Sequence, residues 1–220
     1  SLATTLPRAG NLGGGGFMLV YLSDEKKTIA VDFRSAAPKN LSNNDFLFLK
    51  NNYDQRRYGY KASGVPGTVA GLLQTHERYG KLPLKQILQP VIKQAQEGIK
   101  VSYDLSQAIG SAEQINLDQE SQNIYYRYGG PIKEHLLMKR PDLAWTLSEI
   151  ARNGEEAFYA GSIAKKIVQA MQQNGGYISA KDLKEYEPRF AEPIQTTYRN
   201  HKVLAHPPPA GGAAVLLEGL

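Results

Sequence analysis

Arg34 is the first residue whose type and position could do chemistry. It directly follows residues 28–33, an apolar segment in which the pattern predicts a strand. A guanidinium is permanently charged and offers donors in a planar fork, which suits bidentate recognition of a substrate carboxylate. The same arginine could instead form a structural ion pair with Asp32 or with a more distant acid. Spacing alone leaves both interpretations open.

Four consecutive glycines, at positions 13–16, form the second feature of interest. Their amides could cradle an anion, or their backbone could pack where any Cβ would clash. A phosphate loop requires a helix directly after the glycines and a Lys-Ser or Lys-Thr pair. Here a strand is predicted instead and no such pair follows. We therefore expect these glycines to pack closely against neighbouring backbone.

Two further groups of residues could bind or catalyse. His76 lies on the apolar face of a predicted helix over residues 68–79, and no acid is spaced to orient it, so we expect a packed or boundary residue rather than a base. The tyrosine cluster at residues 125–128 could grip a sugar or peptide. A half-buried transition from helix to loop explains that cluster equally well.

The composition excludes several classes of function. The 220 residues include 26 basic and 21 acidic side chains, but the excess is dispersed and does not alternate with aromatic residues as a nucleic-acid-binding surface would. There is no cysteine, which excludes a thiolate nucleophile, a disulfide and a zinc–thiolate site. No apolar run approaches the ~20 residues of a transmembrane helix. We expect neither nucleic acid as a partner nor a membrane-spanning segment.

Two hairpins and the helices between them must position Arg34. Period-2 and short apolar runs predict hairpins at residues 17–33 and 194–205, and the first is apolar enough to be buried on both faces. Helical periodicity predicts two short helices separated at Pro90, a helix from Pro141 that stops at Gly154, and a capping box at residues 179–182. Both ends of the sequence look cut. We therefore expect residues 1–220 to form a single layered α/β domain that is part of a larger protein.

Seven motifs, in order along the whole chain, resemble those of the γ-glutamyltranspeptidase family. They are NLGGGGFM from Asn11, DFR at Asp32 with the following Ala-Pro, SGVPGTVAG from Ser63, the segment from Gln89 to Gly98, GEEAFYAG from Gly154, GGYIS from Gly175 with the Asp-Leu and Tyr that follow, and PPPAGG from Pro207.

The resemblance implies an α/β (α+β) N-terminal-nucleophile hydrolase, an αββα sandwich of which this chain is the helix-rich part of the large subunit. Such a precursor cuts itself, and the new N-terminal Thr of the small subunit attacks the γ-glutamyl carbonyl. That Thr would lie beyond Leu220, so no catalytic residue is expected in this chain. Arg34 would bind the substrate α-carboxylate, the small subunit would be the partner, and glutathione the first substrate to consider. No cofactor and no metal are implied.

Two departures from the family pattern bear on specificity. Ser35 stands where the family usually has Glu, and Ala210 where Ser usually precedes two glycines. Alternatives are therefore an acylase acting on glutaryl or cephalosporin-type amides, a relative that cleaves poly-γ-glutamate, and a non-catalytic module that binds γ-glutamyl compounds. The resemblance also implies a periplasmic or extracellular location.

Overall fold

The computed structural model describes the backbone of residues 1–220 and every side chain except the one at position 117. The α-helices are α1 (Leu2–Thr5), α2 (Asn43–Asn51), α3 (Tyr53–Arg57), α4 (Thr68–Tyr79), α5 (Leu84–Glu97), α6 (Tyr103–Gly110), α7 (Gln119–Tyr125), α8 (Pro141–Tyr159), α9 (Ser162–Gln173), α10 (Ala180–Lys184) and α11 (Gly211–Gly219). The strands are β1 (Phe17–Leu22), β2 (Lys27–Asp32), β3 (Ile99–Lys100), β4 (Tyr126–Arg127), β5 (Gly130–Pro131), β6 (Leu137–Met138), β7 (Arg189–Ala191), β8 (Ile194–Tyr198) and β9 (His201–Ala205).

The first predicted hairpin is confirmed and forms the edge of a three-stranded antiparallel sheet in the order β1-β2-β7. The prediction that both its faces are buried is wrong for β1, because Leu19 and Tyr21 remain 41% and 64% exposed. Only the central strand, β2, has a neighbouring strand on each side, and its residues Ala30 and Val31 are fully buried. The central strand of the sheet is thus buried, whereas the edge strand β1 is partly exposed to solvent.

The helices build the core around the sheet. The largest cluster of buried side chains joins α4, α8, α9 and the segment around α10, and a second joins α5 to α8. A third, smaller cluster encloses Ile132 and Met138 beside α6. Because β2 packs against α4, the end of β2 meets this helical layer.

Proline and glycine act differently in the two longest helices. The expected break at Pro90 is absent, since α5 runs continuously through that residue. Pro90 is exposed, so water can reach the carbonyl that loses its donor, while Ile92 and Ala95 are buried against α8. The predicted stop at Gly154 is a kink: this residue has φ 63°, and helical structure resumes after it to Tyr159.

The C-terminal part contains the second predicted hairpin, which is confirmed as β8 paired with β9. Its turn places Arg199 and Asn200 at φ 47° and 64°. The following residues, 207–210, lead into α11, in which no residue is buried and Val215 is 71% exposed. None of the helices in the described chain is long and apolar enough to cross a membrane.

Candidate functional site

Arg34 lies two residues beyond the end of β2, with its side chain exposed. Its guanidinium carbon is 5.5 Å from the centre of the Phe17 ring, and its backbone amide donates to Asp32 Oδ1 at 3.0 Å. Asp32 therefore contacts the backbone of Arg34. Among the described side chains, no carboxylate forms an ion pair with this guanidinium.

Glycines hold the backbone on either side of Arg34. A Cβ on Gly15 would lie 2.6 Å from the Phe33 carbonyl oxygen and 2.5 Å from the Ser35 nitrogen. A Cβ on Gly67 would lie 2.2 Å from the same carbonyl oxygen, and one on Gly71 would lie 2.3 Å from Phe33 Cβ. These distances are far below carbon contact distances. The segment carrying Arg34 is therefore closely approached by two glycine-bearing segments.

The glycine run also contacts the first turn of α4. The carbonyl of Gly14 accepts hydrogen bonds from the amides of Gly67 at 2.8 Å and Thr68 at 3.0 Å. These amides would have been available to an anion at a helix start, but a backbone carbonyl already occupies them. The predicted close packing is confirmed for Gly15 and Gly16, whereas a Cβ on Gly13 would come no closer than 3.8 Å to its nearest neighbour, Asn11 Oδ1.

Tyr186 fixes the carbonyl of Arg34. Its hydroxyl donates to that oxygen at 2.8 Å, and its ring stacks on Tyr159 with centroids 5.8 Å apart. Burial, together with the nearby charge of Asp32, raises the pKa of Tyr186 to about 12. Burial also raises the pKa of Tyr159, whose hydroxyl donates to the Pro66 carbonyl at 2.8 Å. Both hydroxyls therefore stay protonated at neutral pH and keep their donor roles.

Arg34 lines an open cavity of about 440 Å³, which we call the Arg34 cavity. The charged residues in its wall are Asp32, Arg34, Lys39, Asp182, Glu185, Glu187 and Arg189. Two of its three cations are engaged within the chain: Lys39 pairs with Glu185, and Arg189 Nη2 donates to the Pro208 carbonyl at 2.7 Å. Among the described side chains of this wall, the guanidinium of Arg34 is the cation that has neither an ion pair nor a hydrogen bond within the chain.

Asp182 links two segments that line the Arg34 cavity. It forms the predicted capping box of α10 with Ser179, and its Oδ1 accepts from the Lys39 amide at 2.9 Å. Burial alone would raise the pKa of this carboxyl, but the hydrogen bonds from Ser179 and Lys39 outweigh it and hold the pKa below its usual value. Asp182 is therefore charged at neutral pH and has a structural role.

The other sequence candidates lie away from Arg34. His76 Nε2 is 2.7 Å from the Leu82 carbonyl, as expected for a boundary residue. In the tyrosine cluster, Tyr125 packs beside the Ile132 core and Tyr128 is 98% exposed, which fits the helix-to-loop interpretation. A larger cavity of about 1060 Å³ lies near Tyr58 and Tyr60 and does not include Arg34. The described residues that line it include no cation, so this cavity offers no counter-charge to a carboxylate.

Three residues around Arg34 could not be identified as site residues from the sequence. Tyr186 belongs to one of the family-like motifs, but nothing local links it to a residue 152 positions earlier. Phe17 and His206, whose rings contact each other, likewise come from opposite ends of the chain. In the described side chains, no group of three or more His, Asp and Glu residues could hold a metal ion.

The whole chain, residues 1–220, matches the family model described as gamma-glutamyltranspeptidase. It is 38% identical to the glutathione hydrolase proenzyme of Escherichia coli K12, over 99% of this chain and 38% of that protein. The chain thus spans well under half of that relative's length.

Solved structures of relatives share the architecture. The Helicobacter pylori γ-glutamyltranspeptidase superposes with a TM-score of 0.93 at 35% identity, over 98% of this chain and 62% of that one. A cephalosporin acylase from Bacillus halodurans gives 0.85 at 27% identity, over 94% and 40%. Sequence and structure agree that this chain belongs to the γ-glutamyltranspeptidase family and has its N-terminal-nucleophile hydrolase fold.

Proposed function

We propose that this chain is a single-domain part of the large subunit of an enzyme that hydrolyses or transfers γ-glutamyl groups, with Arg34 binding the substrate α-carboxylate. The observation that supports this role is the guanidinium without an ion-pair partner in the wall of the Arg34 cavity. Its backbone is held by the glycines and by Tyr186. A charged fork on a fixed backbone can recognise a planar carboxylate with two parallel hydrogen bonds.

The remainder of the proposed mechanism depends on chain outside these 220 residues. The precursor would cleave itself, and the new N-terminal Thr, beyond Leu220, would form an acyl-enzyme that water or an acceptor amine resolves. The small subunit would then be the partner, in a heterodimer, and glutathione the first γ-glutamyl substrate to test. Residues 1–220 by themselves would be inactive. A periplasmic or extracellular location belongs to the same proposal.

Substitution of Arg34 tests the carboxylate role. In the matured full-length enzyme, Arg34→Ala should raise KM for γ-glutamyl-p-nitroanilide about a hundredfold, because charge-assisted hydrogen bonds worth about 3 kcal/mol are lost. Arg34→Lys should recover little, since an ammonium is a point charge. Arg56→Ala is the matched control, because the Arg56 guanidinium carbon also lies 5.5 Å over a ring, that of Tyr53, and is exposed. An unchanged KM in Arg34→Ala would refute the role.

A second candidate function is that of an acylase on glutaryl or cephalosporin-type amides, or on poly-γ-glutamate. It is favoured by Ser35, which lines the Arg34 cavity, and by the likeness to the cephalosporin acylase. Comparing γ-glutamyl- with glutaryl-p-nitroanilide separates a γ-glutamyl enzyme from a glutaryl acylase, because only the first substrate has an α-amino group. Intact mass would also show whether the chain is cut; an uncut chain that binds γ-glutamyl compounds without turnover would indicate a non-catalytic binding module.

A further inference from the structure

Phe17 is in contact with two side chains that come from distant parts of the sequence. The guanidinium carbon of Arg34 lies 5.5 Å from its ring centroid. The imidazole of His206 lies 4.5 Å from it, with the two ring planes inclined by 47°. We call these three residues the Arg34–Phe17–His206 cluster.

The backbone fixes the positions of Phe17 and Arg34 relative to each other. Phe17 opens β1 and pairs with Asp32 at the end of β2, and Arg34 follows two residues later. The ladder continues one step further, since the amide and carbonyl of Gly16 bond with those of Phe33 at 3.2 and 3.0 Å. The Phe17 ring therefore cannot drift along the sheet relative to the backbone of Arg34.

His206 is buried in this cluster, with 8% of its surface exposed. Its Nδ1 lies 2.8 Å from the Pro207 carbonyl, and because a carbonyl oxygen only accepts, Nδ1 carries the proton. In the neutral ring Nε2 is then an acceptor, and among the described residues it has no hydrogen-bond partner. Leaving a buried nitrogen unpaired is unfavourable. The hydrogen bonding of His206 does not account for its burial, and its ring packs against Phe17.

We propose that Phe17 and His206 are positioning residues for Arg34, a role that rests on the proposed binding of the substrate α-carboxylate by Arg34. An exposed arginine samples many rotamers, and restricting it to one rotamer on ligand binding lowers its conformational entropy and weakens binding. The face of the Phe17 ring attracts the guanidinium and limits those rotamers. His206 in turn holds the Phe17 ring in place. The cluster prepares the guanidinium before a carboxylate arrives.

The expected effect is on substrate binding and is modest. A cation–π contact at an exposed site corresponds to about a two- to fivefold change in an equilibrium constant. In the matured full-length enzyme, Phe17→Leu should therefore raise KM for γ-glutamyl-p-nitroanilide about two- to fivefold with little change in kcat, as expected when binding is lost equally from the ground and transition states. The KM for 4-aminobutyryl-p-nitroanilide, which lacks the α-carboxylate, should not change in this variant.

Paired substitutions of His206 separate its ring from its hydrogen bond. His206→Asn keeps a donor near the position of Nδ1 but removes the ring, and it should raise KM as Phe17→Leu does. His206→Phe keeps a ring against Phe17 and removes the unpaired nitrogen, so it should preserve a KM close to that of the parent. The matched control is Phe48→Leu, because Lys61 lies 4.9 Å over that ring, away from the Arg34 cavity.

Two outcomes would overturn the inference. One is an equal KM for the parent, Phe17→Leu and His206→Asn; the other is an equal rise in KM for substrates with and without the α-carboxylate, which would mean a general structural effect. Arg34→Ala, measured alongside, distinguishes failure of the positioning role from failure of the carboxylate-binding role. If Arg34→Ala raises KM and the cluster variants do not, only the positioning role fails; if Arg34→Ala is also without effect, the carboxylate role fails first.

Discussion

Gly71→Ala should destabilise this protein, although the same change inside most helices stabilises. Alanine is favoured over glycine in a helix by about 1 kcal/mol. Here the new Cβ would lie 2.3 Å from both Cβ and Cγ of Phe33, whereas favourable carbon–carbon distances begin near ~3.5 Å. Phe33 is buried and cannot move away, because Gly16 already approaches the other end of its ring. Overpacking costs about 1–3 kcal/mol. Contacts this short place the cost near the upper end of that range, and subtracting the helix gain of about 1 kcal/mol leaves a net loss of up to about 2 kcal/mol.

The measurement is urea unfolding of the full-length protein followed by circular dichroism. Gly110→Ala is the control, since Gly110 ends α6 and a Cβ there would meet nothing within 4 Å. The control should be as stable as the parent or more stable, so the two glycines should differ in the sign of their effect. Because Phe33 precedes Arg34, Gly71→Ala should also raise KM for a γ-glutamyl substrate. A Gly71→Ala variant as stable as Gly110→Ala would refute the packing inferred around Phe33.

Two further predictions concern Tyr186 and Asp182. Tyr186→Phe should lower the free energy of unfolding by about 1 kcal/mol, since the hydrogen bond to the Arg34 carbonyl is lost; Tyr21→Phe, at a site 64% exposed, should not, and equal effects would contradict the assignment. Because the folded-state pKa of Asp182 is lowered, its stabilising contribution is present above its unfolded-state pKa of about 3.9 and is lost as the pH falls through the folded value. Unfolding midpoints between about pH 5 and pH 2 should therefore fall less steeply for Asp182→Asn than for the parent, and parallel curves would rule this out.

The elements with a clear local pattern could be predicted from the sequence. The helix over residues 68–79, both hairpins and the capping box of α10 are present as expected. The inward face of α4 was less predictable. Leu72 is apolar but 45% exposed, whereas Ala70 and Gly71 are buried. The approach of Phe33 requires small residues on that face of the helix, and an apolar pattern does not encode such a requirement.

The site was predictable only in part. Arg34 stands out because a permanent cation follows an apolar strand, and its family-like motif adds a role for it. Phe17 and Tyr186 contact it, and His206 contacts Phe17. The sheet and the segments that follow α10 and β9 bring these residues together. No spacing rule connects positions so far apart. The break expected at Pro90 failed for a similar reason, because packing against α8 outweighs one lost hydrogen bond.

The glycine packing around Phe33 has a consequence for how this site can evolve. The close contacts at residues 33–35 involve the backbone, the Phe33 side chain and the Cβ of Ser35, while the side chains of Arg34 and Ser35 are otherwise exposed. With the carboxylate role proposed for Arg34, substitutions at these two positions would alter ligand recognition and destabilise the fold little. Substrate preference and foldability would be inherited almost independently. A lineage could exchange the residue at position 35 and come to accept substrates with a different acyl group, while the glycines that shape the segment stay unchanged.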